Sequence, residues 1–170
     1  PEVSDLNSIT TNAPSPCTGN TWLYAGQNPI YSSQHDEVGL VYNNKFYRFS
    51  CWNQMVKIFD GTSWTSVSSN VPYANPAASV FFSFGFTIGD KGYFNQTSHF
   101  PDYPSQNTGF YEYDFINNTW QQKADFPGNA THGQAFFTIG NKGYVAGGYN
   151  HNAANTTSTK KQTWEYNPQN

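Results

Sequence analysis

The chain has 170 residues, a net charge of −3 and only 11% charged residues, while 18% are aromatic. Long helices spend many Glu, Lys and Arg on their solvent face, so this composition points away from helices and towards strands joined by Asn, Thr, Ser and Gly turns. The scattered Lys and Arg, eight in all, supply no phosphate-binding cluster, and no apolar run reaches the length of a membrane span.

Residues 1–19 show no periodicity and read as a linker or lead-in. There is no basic start followed by an apolar core, so nothing in them reads as a signal peptide. Residues 20–26 open with Asn20-Thr21-Trp22 and read as an outer strand without a preceding hairpin partner. From 37 onwards a repeat takes over. Leu40-Val41-Tyr42-Asn43-Asn44-Lys45-Phe46-Tyr47 is a first copy of a strand, turn and strand unit. Phe86-Thr87-Ile88-Gly89-Asp90-Lys91-Gly92-Tyr93-Phe94 is the second, at an offset of 46. Phe137-Thr138-Ile139-Gly140-Asn141-Lys142-Gly143-Tyr144-Val145 is the third, a further 51 residues on. Asn and Gly tolerate the positive φ of short hairpins, which places the turns at Asn43-Asn44, Asp90-Lys91 and Asn141-Lys142.

A second hairpin follows each unit. Val56 to Asp60 leads into Gly61-Thr62-Ser63-Trp64, and Phe110 to Phe115 leads into Ile116-Asn117-Asn118-Thr119-Trp120. Thr163-Trp164-Glu165-Tyr166-Asn167 is the last copy. Each repeat therefore counts four strands, a to d. The predicted blades are 37–68 and 79–124, with strands a to c of another at 133–167, and innermost strands near 37–42, 80–88 and 134–139. The fold class is all-β, built of four-stranded antiparallel propeller blades. About three blades are visible where propellers have four to eight. The chain thus reads as an incomplete propeller within a longer chain or larger assembly, or as one half of a strand-swapped homodimer.

Ile139-Gly140-Asn141-Lys142-Gly143-Tyr144-Val145-Ala146-Gly147-Gly148, followed by Trp164-Glu165-Tyr166-Asn167-Pro168, resembles the kelch repeat. Gly147-Gly148 fit its diglycine, while Asn95-Gln96 and Ser50-Cys51 stand in that place in the other copies. Lys123-Ala124-Asp125-Phe126-Pro127-Gly128 is similar to a stretch of secreted bacterial members. The resemblance implies a propeller of six or seven blades and a binding role, with galactose oxidase and sialate mutarotases as enzymatic members. A galactose-oxidase-like copper site would need tyrosine ligands and a cysteine beside one of them, and Cys51-Trp52 does not show that pattern.

Long b–c and d–a connections gather on one face of a propeller, where recognition is normally placed. They are 27–36, 68–79, 97–108, 125–132 and 150–162, and they hold all four histidines, His35, His99, His132 and His151. With Tyr31, Tyr73, Phe100, Tyr103 and Tyr149 these are the candidate ligand-binding residues. Aromatic faces among Asn and Gln neighbours suit a sugar or a protein surface. Imidazoles can also ligate metals, but polar loops hold histidines in any case, and neither a metal nor another cofactor is expected. No catalytic residue is assigned. Asp36, Asp102 and Asp125 are the few carboxylates on that face, and Glu112 and Glu165 read as equivalent repeat positions. Cys17 and Cys51 are the disulfide candidates, a pairing that would suit an extracellular setting. Sequons occur at Asn95, Asn117, Asn129 and Asn155. The sequence is read as an extracellular or cell-surface binding module for protein or glycan, with a sugar-modifying enzyme as the alternative.

Overall fold

The computed structural model of the protein describes residues 37–51, 54–68, 70–72, 80–98, 106–129, 132–151 and 157–169. The fold is all-β, as the turn chemistry and the aromatic alternation require: three antiparallel sheets stand side by side in an open arrangement. The first comprises β1 (Val38–Tyr42), β2 (Lys45–Ser50), β3 (Met55–Phe59) and β4 (Trp64–Ser68), paired in chain order. The second comprises β5 (Val80–Ile88), β6 (Lys91–Ser98), β7 (Gln106–Asp114) and β8 (Thr119–Lys123).

The third sheet is arranged differently. β9 (His132–Ile139) pairs with one edge of β10 (Lys142–His151), and two short strands share the other edge. β11 (Thr157–Thr159) pairs with Tyr149 to His151, and β12 (Thr163–Tyr166) with Gly143 to Ala146. The third strand position is thus interrupted at 160–162. There the chain is pinned by the Gly147 N–H on the Gln162 carbonyl (3.0 Å) and the Lys160 N–H on the Gly148 carbonyl (2.8 Å). Among the described residues no strand pairs with the free edge of β12.

Local chemistry explains the hairpins. Asn43 and Asn44 both have positive φ, 47° and 57°, the geometry of a two-residue turn whose twist matches the flanking strands. The equivalent turns fall at Gly89-Asp90 and Gly140-Asn141, one residue earlier than expected, because Lys91 and Lys142 already pair in β6 and β10. The offset of 51 also corrects the diglycine comparison: Gly147-Gly148 correspond to Gln96-Thr97, not to Asn95-Gln96. The c–d turns are closed by one side chain each. Asp60 Oδ1 accepts the Thr62 and Ser63 N–H groups (2.9 and 2.8 Å), and Asp114 Oδ1 those of Ile116 and Asn117 (2.8 and 2.9 Å). Asn167 Oδ1 accepts the Gln169 N–H at 3.1 Å in the same position of the third sheet. Such bonds favour the ionised carboxylate, so Asp60 and Asp114 are held well below the usual carboxylate range, Asp114 chiefly by Lys91.

Two aromatic cores hold the sheets together. Between the first and second lie Leu40, Phe49, Val56, Phe82, Phe94 and Tyr113, with Trp120 packed against them. Phe49 and Phe94 stand 4.4 Å apart, and Trp120 lies 4.9 Å from Tyr113. Between the second and third lie Phe84, Phe86, Ile88, Tyr93, Phe110 and Val145. Each such side chain contributes about 1.5–3 kcal/mol by leaving water. The first strands β1, β5 and β9 lie next to one another, with β5 in the middle. They approach closely because glycine sits on the facing second strand. A methyl group on Gly92 would stand 3.0 Å from Leu40 Cδ1, and one on Gly143 would overlap the Phe86 ring.

Candidate functional site

The tight turns lie at one end of the sheets, so the opposite end carries the starts of β5 and β9 and the finish of β10. His132 opens β9 and pairs in register with Tyr149 of β10. Its ring lies 5.3 Å from the Tyr149 ring at 23° and 5.2 Å from the Phe81 ring at 27°. The imidazole is therefore the middle plate of a three-ring stack that spans the second and third sheets. Stacking of this kind fixes ring orientation and leaves half-buried Tyr149 as the outer plate.

Towards the same end, β6 and the start of β9 carry buried polar side chains. Asn95, Gln96 and Thr97 are fully buried and Gln134 nearly so. Asn95 Nδ2 donates to Ser83 Oγ at 2.9 Å, and Gln96 Nε2 donates to the Pro72 carbonyl and to Cys51 Sγ, the latter at 3.5 Å. Cys51 is a free thiol, and burial pushes it up to about 12, with the Gln96 bond opposing the rise. These groups tie the 70–72 segment and the end of β2 to β6. Asn95, one of the sequon positions, is wholly enclosed and offers no surface for a glycan.

Further out on the same end, the interruption between β11 and β12 leaves a cleft of about 230 Å³. One wall is Phe126, Pro127, Gly128 and Asn129, the other Gly147, Lys160, Gln162 and Trp164. Trp164 is 37% exposed, and its ring meets Phe126 edge-on at 5.9 Å and 78°. The lining thus includes the accessible Trp164, the carboxamide residues Asn129 and Gln162, and Lys160, whose ammonium donates to Ser158 Oγ at 3.0 Å. A smaller apolar cleft, lined by Phe84, Phe110, Val145 and Tyr166, adjoins it through Phe126 and Trp164.

The two equivalent glutamates serve as links within their sheets. Lys123 Nζ stands 2.9 Å from Glu112 Oε2. Glu165 takes Lys142 Nζ at 2.6 Å and the Tyr144 hydroxyl at 2.8 Å, and both bonds lower its pKa. Of the residues expected to bind ligand, His132 and Tyr149 are brought into contact. His151 ends β10, opposite Thr157. Tyr31, His35, Tyr73, His99, Phe100, Tyr103 and Cys17 lie outside the described residues, as do the 20–26 strand and Asp36 and Asp102. Sequence reasoning missed Phe126, Asn129, Lys160, Gln162 and Trp164. The available signal was the length of the 150–162 connection beside the Phe126-Pro127-Gly128 stretch. Among the described residues no three of His, Cys, Asp and Glu converge to hold a metal, and no helix is long and apolar enough to cross a membrane.

No protein-family model matches this chain, and no curated protein matches it. Among solved structures, one described as the structure of YjhT is similar, with a TM-score of 0.50 and 20% identity over 68% of this chain. The match covers 34% of that structure, so the chain spans about a third of its length. The likeness shows a β-propeller-like fold.

Proposed function

We propose that the chain is part of a kelch-type propeller that works outside the cell or at its surface as a glycan-binding module, with the cleft at Trp164 as the sugar subsite. The observation that carries this reading is the cleft itself. An accessible indole can stack on the apolar face of a pyranose, while the Asn129 and Gln162 amides and the Lys160 ammonium can bond its hydroxyls. Its volume lies below the roughly 300–1,000 Å³ of drug-sized sites, which fits one sugar residue of a longer chain. The His132–Tyr149 pair, where β9 starts and β10 finishes, adds an aromatic surface on that end of the third sheet.

Titration with neutral monosaccharides and short oligosaccharides, followed by indole fluorescence, tests it. Saturable quenching by at least one sugar is expected, with loss of binding in Trp164→Ala. Binding that persists undiminished in Trp164→Ala, or a response to protein ligands alone, overturns the sugar subsite. Sugar oxidation and isomerisation assays with added copper or zinc separate binding from the enzymatic reading.

A further inference from the structure

We infer that the outer face of the third sheet is a docking surface for a fourth sheet of the same repeat, one carrying glycine and threonine at two defined positions. The first sheet of a second copy does not fit it. Equivalence between the sheets fixes the fit, independently of any ligand.

On the second sheet Phe86, Ile88 and Tyr93 share the face that meets the third sheet. Their equivalents on the third sheet are Phe137, Ile139 and Tyr144, which share the face pointing away from the second sheet. Phe86 and Ile88 are 3% and 8% exposed, whereas Phe137 and Ile139 are 43% and 63% exposed. Phe137 stacks on Tyr144 at 5.5 Å and 14°, so this apolar face is ordered although no described residue covers it. Repeat arrays bury each such face under the next unit, and an uncovered apolar face of this kind marks an interaction site.

The two interfaces within the chain define what the next unit must bring. Leu40 lies over Gly92, and Phe86 lies over Gly143, so the covering sheet offers glycine as the second residue of its second strand. Thr87 Oγ1 donates to the Val41 carbonyl at 3.5 Å, and Thr138 Oγ1 to the Thr87 carbonyl at 2.7 Å. The covering sheet therefore also brings a hydroxyl on its innermost strand, which would donate to the Thr138 carbonyl.

The chain's own first sheet lacks both features. Phe46 stands where Gly92 and Gly143 stand, and its ring fills the space above Gly39, where a methyl group would overlap it. Val41 stands where Thr87 and Thr138 stand and has no hydroxyl. The outer face of the first sheet, where Trp64 meets both Phe46 and Phe59 and no described residue stands in front, is thus closed to Phe137.

Sedimentation equilibrium of the chain carrying Val41→Thr and Phe46→Gly tests this, with circular dichroism to establish that the fold is kept. Both features are then present on the first sheet, and head-to-tail self-association at least tenfold tighter than in the unaltered chain is expected. Adding Phe137→Glu should abolish the gain. Equal association of the altered and unaltered chains, or a gain indifferent to Phe137→Glu, overturns the inference. Should the double substitution unfold the chain, the full chain extended by a second copy of residues 79–124 carries the same test. Slower amide exchange across 135–139 is expected, relative to the same extension with Gly92→Phe in the added copy, and equal exchange overturns the inference.

Discussion

The hydroxyl of Thr138 donates to the backbone carbonyl of Thr87 at 2.7 Å, joining the innermost strands of two sheets that share no ladder. The two residues occupy the same place in successive repeats, and Thr87 makes the corresponding, longer bond to Val41 at 3.5 Å. Replacing Thr138 by valine keeps the shape and removes the donor, leaving the exposed Thr87 carbonyl to water. A loss of about 1 kcal/mol is expected, and a smaller one for Thr87→Val, where the bond is near its limit. Urea unfolding of the two variants side by side checks the order.

Gly143→Ala should destabilise by about 1–3 kcal/mol, because the added methyl overlaps the Phe86 ring and neither strand can move without breaking its ladder. Shortening the intruding side chain in Gly143→Ala/Phe86→Leu should recover part of that loss, giving a coupling energy that a double-mutant cycle measures. Additive effects would show that Phe86 does not pack on Gly143.

Trp120→Ala should cost about 3 kcal/mol, since the indole packs on Phe49, Phe82, Phe94 and Tyr113 between two sheets. Trp64 occupies the same repeat position on the uncovered face of the first sheet, touching only Phe46 and Phe59 among described rings. Its replacement by alanine should cost clearly less. Thermal unfolding of both variants decides it, and equal losses would contradict the assignment of Trp120 to the inter-sheet core.

Cys51 should resist alkylation in the folded chain at pH 8 and react at once in denaturant, because burial holds it as the thiol. Its folded pKa is raised, so its contribution to stability is complete below the ordinary value of 9.0 and is lost as pH rises towards about 12. Chemical unfolding across that range should show a decline that Cys51→Ala reduces. The raised Tyr113, also at about 12 through burial, adds to the same alkaline loss.

Asp114→Ala should destabilise by about 0.5–2 kcal/mol, the usual size of a lost capping carboxylate, since two N–H groups of the turn and Lys91 lose their acceptor. Asp114 is held below its unfolded value. Its stabilisation is therefore present above the ordinary carboxylate value of 3.8 and is lost as pH falls below it. The variant and the parent should converge in stability under acid, which acid titration of the unfolding midpoint reads directly.

The sequence by itself determined the all-β class and the four-strand unit, because both are written in local chemistry. Asn and Gly mark the positive-φ turns, Asp60, Asp114 and Asn167 close the second turn, and aromatics alternate along β5 at Phe82, Phe84 and Phe86. It could not decide which aromatics are covered. Phe86 and Phe137 are the same letter in the same motif, yet one is buried and the other half exposed, because burial depends on whether another sheet stands in front. It also could not decide the cleft. Trp164 and the 126–129 segment are far apart in the chain and meet only because the third sheet breaks its outer strand at 160–162. The choice of Phe46 over glycine is visible in the sequence, but its consequence is steric. It becomes a statement about partners only once Leu40 and Phe86 are seen lying on the glycines of the neighbouring sheets.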